Sequence, residues 1–123
     1  MRSWNELVEA AKTEGFSVQL VSGDTPVVGY MVALPGHEER IPVEAFTLDR
    51  LTRYVKAHAD VLLEGDTYLG AWMSDGHVYL DVSENVVTSR ADAIELGAAR
   101  GQLAIWDVVN SAEINTMPSP AEV

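Results

Sequence analysis

The stretch Thr67-Tyr-Leu-Gly-Ala-Trp-Met-Ser-Asp-Gly-His-Val-Tyr-Leu-Asp-Val-Ser83 decides the fold class of this 123-residue chain. Its alternating residues flank the dipeptide Asp75-Gly76, which favours a two-residue hairpin turn because both positions accept a positive φ. The turn aligns the following residues of the two strands: Met73 with Val78, Trp72 with Tyr79, Ala71 with Leu80, Gly70 with Asp81 and Leu69 with Val82.

The alternation gives this hairpin two unequal faces. One face is aliphatic and consists of Leu69, Ala71, Met73, Val78, Leu80 and Val82. The other face contains Tyr68, Trp72 and Tyr79, with Gly70 opposite Asp81. A slip of one residue would mix the two sets, so the pattern fixes the register and predicts that the aliphatic face is buried.

The rest of the chain predicts helices between short strands. Ser3, Thr47 and Ser89 stand at N-cap positions, and the helices that follow them end before Gly15, Gly65 and Gly101. Strands are expected at 16–20, 27–34 and 102–109 besides the hairpin, with an irregular segment at 36–46. We therefore predict one α+β domain over residues 1–114. Its mainly antiparallel sheet has about five strands, with three helices packed chiefly on one face, and a disordered tail covers 115–123.

The charge distribution narrows the classes of partner. Nineteen acidic and eight basic residues give a net charge of −11, and residues 57–123 contain only two of the basic ones, Arg90 and Arg100. Direct binding of nucleic acid or of an anionic membrane is therefore not expected. A basic protein partner is compatible with this charge, and so is imitation of a polyanion; acidity that serves solubility alone is the third interpretation.

Neither a metal nor a cofactor is expected. The chain has no cysteine, and its three histidines lack the spacing of a zinc site. His37 is expected to be solvated in a loop, His58 to lie beside an apolar helix stripe, and His77 to be exposed after the hairpin turn. The first residues lack the long apolar segment of a signal peptide, and no apolar run reaches the length of a membrane span, so a cytoplasmic location is expected.

Two acids lie inside predicted strands and are the candidates for general acid–base chemistry. Asp81 lies on the aromatic face of the hairpin and Asp107 on the last strand, and the two could approach each other if these strands are neighbours. The simpler interpretation places both carboxylates on a sheet face that is open to water. No catalytic residue is assigned.

The aromatic face is the candidate interaction surface. Tyr68, Trp72 and Tyr79 would form one cluster with Trp106 if the strand at 102–109 pairs near the hairpin. Tryptophan and tyrosine contribute much of the binding energy at interfaces, but a helix packed on this face would make them ordinary core residues. Both interpretations stay open, as does self-association through this face.

A wider pattern covers residues 67–114. It consists of Tyr68-Leu-Gly-Ala-Trp72, Gly76-His-Val-Tyr-Leu-Asp-Val-Ser83, Ala93-Ile94 and Gln102-Leu-Ala-Ile-Trp-Asp-Val108. The pattern resembles one found in small acidic proteins of actinobacteria, their phages and mobile elements. The resemblance implies no activity. It favours a phage or mobile-element accessory protein that binds and modulates a host factor.

Together these features predict a non-catalytic protein–protein interaction module, and a basic host protein is one partner compatible with its charge. Its surface would combine the aromatic residues with the acidic C-terminal half, represented by Glu84, Asp92 and Glu95. One alternative is an acidic mimic that occupies the DNA- or RNA-binding site of a host enzyme. The other is a small enzyme that uses Asp81 or Asp107.

Overall fold

The computed structural model describes residues 2–116, which form one α+β domain. The helices are α1 (Trp4–Ala11), α2 (Leu48–Ala57), α3 (Ala59–Leu62) and α4 (Arg90–Ala99), with a short 3₁₀ helix at Val43–Ala45. The strands are β1 (Phe16–Val18), β2 (Tyr30–Ala33), β3 (Glu39–Pro42), β4 (Thr67–Ser74), β5 (His77–Val86), β6 (Ala104–Asp107) and β7 (Ala112–Asn115).

The predicted hairpin is confirmed residue by residue. Strands β4 and β5 pair from Thr67–Glu84 to Ser74–His77, in the register that the Asp-Gly turn implied. Asp75 and Gly76 have φ values of 50° and 74°, the left-handed geometry of a two-residue hairpin turn. The aliphatic face forms the centre of the larger core, except that Met73, at the hairpin end, is 37 % exposed and not buried as expected.

The sheet is antiparallel in every pairing, with seven strands where about five were expected. Its order is β1-β4-β5-β2-β6-β7, and β3 pairs with the hairpin end of β5, beyond the end of β2. The expected irregular segment contains β3 and the 3₁₀ helix, and β7 follows the strand that was predicted to be the last. Both missed strands have only four residues and owe their structure to the partner strand.

Residues 2–116 contain four α-helices where three were expected, because the predicted helix at 48–64 divides at His58, which leaves helical geometry with φ −112° and ψ 19°. The helix caps at Ser3, Thr47 and Ser89 are confirmed, each side chain accepting a backbone N–H three residues later. Asn115 belongs to β7 and Thr116 is buried, although both residues were assigned to the tail; the rest of that tail, 117–123, lies outside the described residues.

All four helices cover the same face of the sheet. Helices α1, α2 and α3 contribute to the core around Leu80 and Val82, while α4 packs on a smaller core that contains Val32. Val32 pairs with Glu84, and Glu84 lies on the same side of β5 as Val82 because side chains alternate along a strand. No helix of residues 2–116 therefore packs on the opposite face, which we call the open face.

Candidate functional site

The open face carries the residues whose side chains point away from the helices. The registers place these residues in three rows across the sheet. The first row is Trp72, Tyr79 and Arg40; the second is Ser17, Gly70 and Asp81, with Glu38 next to it; and the third is Tyr68, Ser83 and Ala33. A groove of about 1210 Å³ runs over this face and is lined by members of all three rows. Asp81 lies in the middle row.

Trp72 and Tyr79 form the aromatic wall of the groove. Their rings are stacked, with centroids 4.2 Å apart and planes 6° from parallel. Trp72 is 38 % exposed because no helix covers it and because its neighbour on the β1 side is Gly15. Any side chain at Gly15 would approach the Ala71 carbonyl and Trp72, since a Cβ there would lie 2.8 Å from the Ala71 oxygen. The aromatic pair thus keeps a free edge on the groove and is not ordinary core.

Asp81 occupies the space above Gly70. A Cβ at residue 70 would overlap the Asp81 Oδ1 atom and lie 3.2 Å from its Cγ, so only glycine admits this carboxyl position. The Ser83 hydroxyl donates a hydrogen bond of 3.0 Å to Oδ1. The predicted register placed Gly70 opposite Asp81, and the carboxylate fills the space that the missing side chain leaves.

The pKa of Asp81 is raised. Burial of the carboxyl group is the largest cause, hydrogen bonds from the side chains of Ser83 and Trp72 oppose it, and the nearby charge of Glu38 adds to the rise. Part of the residue nevertheless remains accessible from the groove. A buried carboxyl with a perturbed pKa in a concave site is a physical mark of a functional position.

Trp106 does not join the aromatic cluster. It pairs with Met31, which in turn faces Asn85, six residues along β5 from Tyr79. At about 3.4 Å per residue this is a displacement of roughly 20 Å along the sheet, with β2 between β5 and β6. Trp106 is 43 % exposed and lines the far end of the same groove. Tyr68 is also separate from the stacked pair, two rows from Trp72 on the same strand.

The acidic residues of the predicted surface lie on the other side of the sheet. Glu84 shares its side with Val82 and forms a 2.8 Å ion pair with Arg100. Asp92 and Glu95 belong to α4, on the helix-covered face. The structure therefore does not bring Glu84, Asp92 and Glu95 together with Trp72 and Tyr79 in one surface.

Asp107 cannot meet Asp81. Tyr30 pairs with both Val86 and Asp107, so Asp107 shares the side of Val86, whereas Asp81, five residues before Val86, points to the other side. The Asp107 carboxylate accepts hydrogen bonds from the side chain and backbone of Asn110, and these bonds lower its pKa. Asp107 fixes the turn between β6 and β7, and an acid–base pair with Asp81 is excluded.

Two histidines form a contact that the sequence did not predict. The Nδ1 atoms of His37 and His58 are 2.9 Å apart, and His58 also packs on Tyr54, with ring centroids 4.3 Å apart. His37 is thus held by a partner 21 residues away, where a solvated loop residue was expected. His77 Nδ1 donates a 2.9 Å hydrogen bond to the Asp75 backbone carbonyl, next to the turn. Only the tertiary structure brings His37 and His58 together.

Comparison with protein-family models, curated proteins and solved structures found no match to this chain. Within residues 2–116, no group of three or more histidine, aspartate or glutamate side chains is placed to hold a metal ion. Among the same residues, no helix has both the length and the apolar character needed to cross a membrane.

Proposed function

We propose that this protein is a non-catalytic binding module that takes an extended, basic segment of a protein partner into the groove of its open face. One observation carries the proposal: a sheet face that no described helix covers presents a half-exposed aromatic pair beside a buried carboxylate. Aromatic side chains of this kind are typical energetic centres of protein interfaces.

The dimensions of the groove suit an extended segment. Trp72 and Trp106 both line it; they are roughly 20 Å apart along the strands and three strand spacings, roughly 14 Å, apart across the sheet, so roughly 25 Å separates them, the length of about seven residues in a strand. A segment of that length could contact both tryptophans at once. The groove also reaches residues of the loop between β1 and β2, among them Thr25 and Pro26.

The charge of the groove suits a basic partner. Its lining contains four acidic residues and one basic residue, and the basic one, Arg2, is already paired with Glu14 at 3.1 Å. The net charge of −11 adds a long-range attraction for basic proteins. Under the resemblance of residues 67–114 to phage and mobile-element proteins, a basic host protein is the expected partner.

The test is a selection from a display library of random linear peptides on the immobilised protein. We expect enrichment of peptides rich in arginine and lysine, with affinity that falls as salt rises. Trp72→Ala should weaken the selected peptides by at least about tenfold while the protein stays folded, because an interface anchor contributes about 2 kcal/mol or more. Leu63→Ala is the matched control, since Leu63 is 61 % exposed and does not line the groove.

The result that contradicts the proposal is equal affinity of the selected peptides for wild type, Trp72→Ala and Trp106→Ala. The partner would then bind elsewhere. The combined variant Glu84→Gln, Asp92→Asn and Glu95→Gln tests the acidic side separately. These residues lie on the helix-covered face, so they should act through long-range attraction: association should slow while dissociation stays unchanged.

A second candidate is an enzyme that uses Asp81 for proton transfer, and the raised pKa of this buried carboxyl favours it. A panel of small carbonyl and ester substrates, with Asp81→Asn as the inactive control, tests this alternative. Polyanion mimicry has less support, because it requires carboxylates at phosphate-like spacing on one surface. Asp81 and Asp92 lie on different sides of the sheet, and Glu84 is paired with Arg100.

A further inference from the structure

We infer that the Asp81 end of the groove is a receptor for one guanidinium group, supplied by an arginine side chain of the bound segment. The inference rests on the proposed function and specifies it. One carboxylate of the acidic groove, that of Asp81, would bind one cationic group of the partner. Three features of the site support it, namely the unmatched carboxylate, the open floor and the flat aromatic wall.

The Asp81 carboxylate has no cationic partner among residues 2–116. The ion pairs of this part of the chain join Arg2 to Glu14, Arg50 to Glu39, Arg53 to Asp49 and Arg100 to Glu84. The charged side chain that acts on its pKa is instead the like-charged Glu38. A buried carboxylate without a counter-ion is energetically unfavourable. A cation that arrives with a ligand would remove that penalty, so the apo protein is suited to bind one.

The floor around Asp81 leaves room for a planar group. The Asp81 carboxylate takes the space over Gly70, and the next residue of the middle row is Ser17 on β1, whose short side chain leaves the row low toward the β1 edge. Within residues 2–116, the side chains that donate hydrogen bonds to the carboxylate are those of Ser83 and Trp72. An ionised carboxylate can accept about four hydrogen bonds on its two oxygens, so acceptor capacity remains for a two-pronged contact.

The aromatic wall favours arginine over lysine. Trp72 stacks on Tyr79 through one ring face, and on its other side β1 presents only Gly15. A guanidinium is flat and weakly hydrated, so it can lie against an aromatic surface and still form parallel hydrogen bonds to a carboxylate. An ammonium group offers a compact charge without this geometry.

Arg40 is the basic residue of the same protein on the rows around Asp81. It is exposed and lies opposite Tyr79, one row away from Asp81. None of the four ion pairs within residues 2–116 includes Arg40, and the residue level with Asp81 on the β3 side is the acidic Glu38, not Arg40. The carboxylate is thus available to a cation from outside the chain.

The test measures the binding of blocked arginine (N-acetyl-arginine methylamide) by NMR titration of the full chain. Blocked citrulline is the matched ligand, since it has nearly the same shape without the charge. We expect saturable shifts that centre on Trp72, Tyr79 and Asp81 and an affinity for blocked citrulline at least about tenfold weaker. Equal affinity for the two ligands, or no saturable shift with blocked arginine, would overturn the inference.

Two variants locate the contact. Asp81→Asn should weaken the binding of blocked arginine at least about tenfold, while Asp75→Asn should change the affinity for this ligand less than about twofold. Asp75 loses the same charge from the same hairpin, and asparagine is compatible with its turn conformation. An equal loss in both variants would show general electrostatic attraction and contradict the inference. If Asp81→Asn does not fold, the comparison of arginine with citrulline on the wild-type protein remains decisive.

The outcomes separate this inference from the proposed function. Selected peptides that require Trp72 but bind equally well to Asp81→Asn would support the binding module and refute the guanidinium site. If blocked arginine binds at Asp81 but the selected peptides bind wild type, Trp72→Ala and Trp106→Ala with equal affinity, the guanidinium site is supported and the extended binding groove is refuted.

Discussion

Because the Asp81 carboxyl group lies over Gly70, we predict that Gly70→Ala lowers the free energy of unfolding in the wild type and raises it when Asp81 is absent. In Gly70→Ala the new methyl group would overlap the Asp81 Oδ1 atom, and the carboxyl group would have to rotate away. Oδ1 is also the atom that accepts the hydrogen bond from Ser83, so that bond would be lost. The Gly70 backbone does not have a positive φ, and alanine can adopt it without strain.

Two opposing contributions set the magnitude. A hydrogen bond to a charged group contributes about 1.5–3 kcal/mol to stability. Replacing glycine by alanine inside a strand stabilises by about 0.5–1 kcal/mol, because the unfolded chain loses less entropy on folding. Gly70→Ala should therefore destabilise the wild type by about 0.5–2.5 kcal/mol. In an Asp81→Ala background neither the overlap nor the bond exists, and the same substitution should stabilise by about 0.5–1 kcal/mol.

Urea unfolding of the four proteins, followed by tryptophan fluorescence, measures this double-mutant cycle. The expected coupling between the two sites is about 1.5–3 kcal/mol, with an unchanged dependence on urea concentration. A destabilisation of the same size in both backgrounds would show that residue 70 clashes with something other than the carboxylate. A stabilised single variant would show that the carboxylate does not lie over Gly70 in solution. Either result refutes the reasoning.

Two further predictions concern the core and the histidine pair. Leu80→Ala should destabilise the fold by about 2–5 kcal/mol in urea unfolding, because Leu80 is fully buried in the larger core, and a loss below about 0.5 kcal/mol would contradict that position. Burial, and then the charge of His37, lowers the pKa of His58 below its ordinary value of 6.5, although Glu39 opposes the change. Below pH 6.5 the unfolded chain therefore binds a proton at His58 more readily than the folded chain, so stability should fall as pH decreases. Urea midpoints from neutral to mildly acidic pH should show a smaller decline for His58→Gln, and an identical decline would exclude the pair as its cause.

The hairpin could be predicted from the sequence because each of its determinants is local. The Asp-Gly turn fixes which residues face each other, and the period of two assigns each residue to a side. The same argument fails for β3 and β7. Glu39-Arg-Ile-Pro42 shows little alternation, and Ala112-Glu-Ile-Asn115 alternates over only four residues, so each forms a strand through its pairing with a longer or preceding one.

The errors about the site have a common physical origin. The sequence places Trp106 in a strand, but it does not show that β2 lies between that strand and β5. The cluster with Trp106 and the approach of Asp107 to Asp81 were both conditional on these strands being neighbours, and the strand order removes that condition. The contact between His37 and His58 was missed for the same reason, since it joins a loop to a helix break. Strand order and loop contacts are long-range properties that no local pattern determines.

Asp81 shows how far a local argument can extend into function. The register alone places Asp81 opposite Gly70 and on the side away from the aliphatic core. What it does not show is whether helices cover that side, and this decides whether the carboxylate is a solvated surface group or a buried one. Here the helices all pack on the aliphatic face, and yet the carboxyl is buried, because it lies flat over Gly70 beside Ser83 and the aromatic pair. An acid held in this way at the floor of an open groove, without a cation of its own among the described residues, is the observation on which the proposed guanidinium site depends.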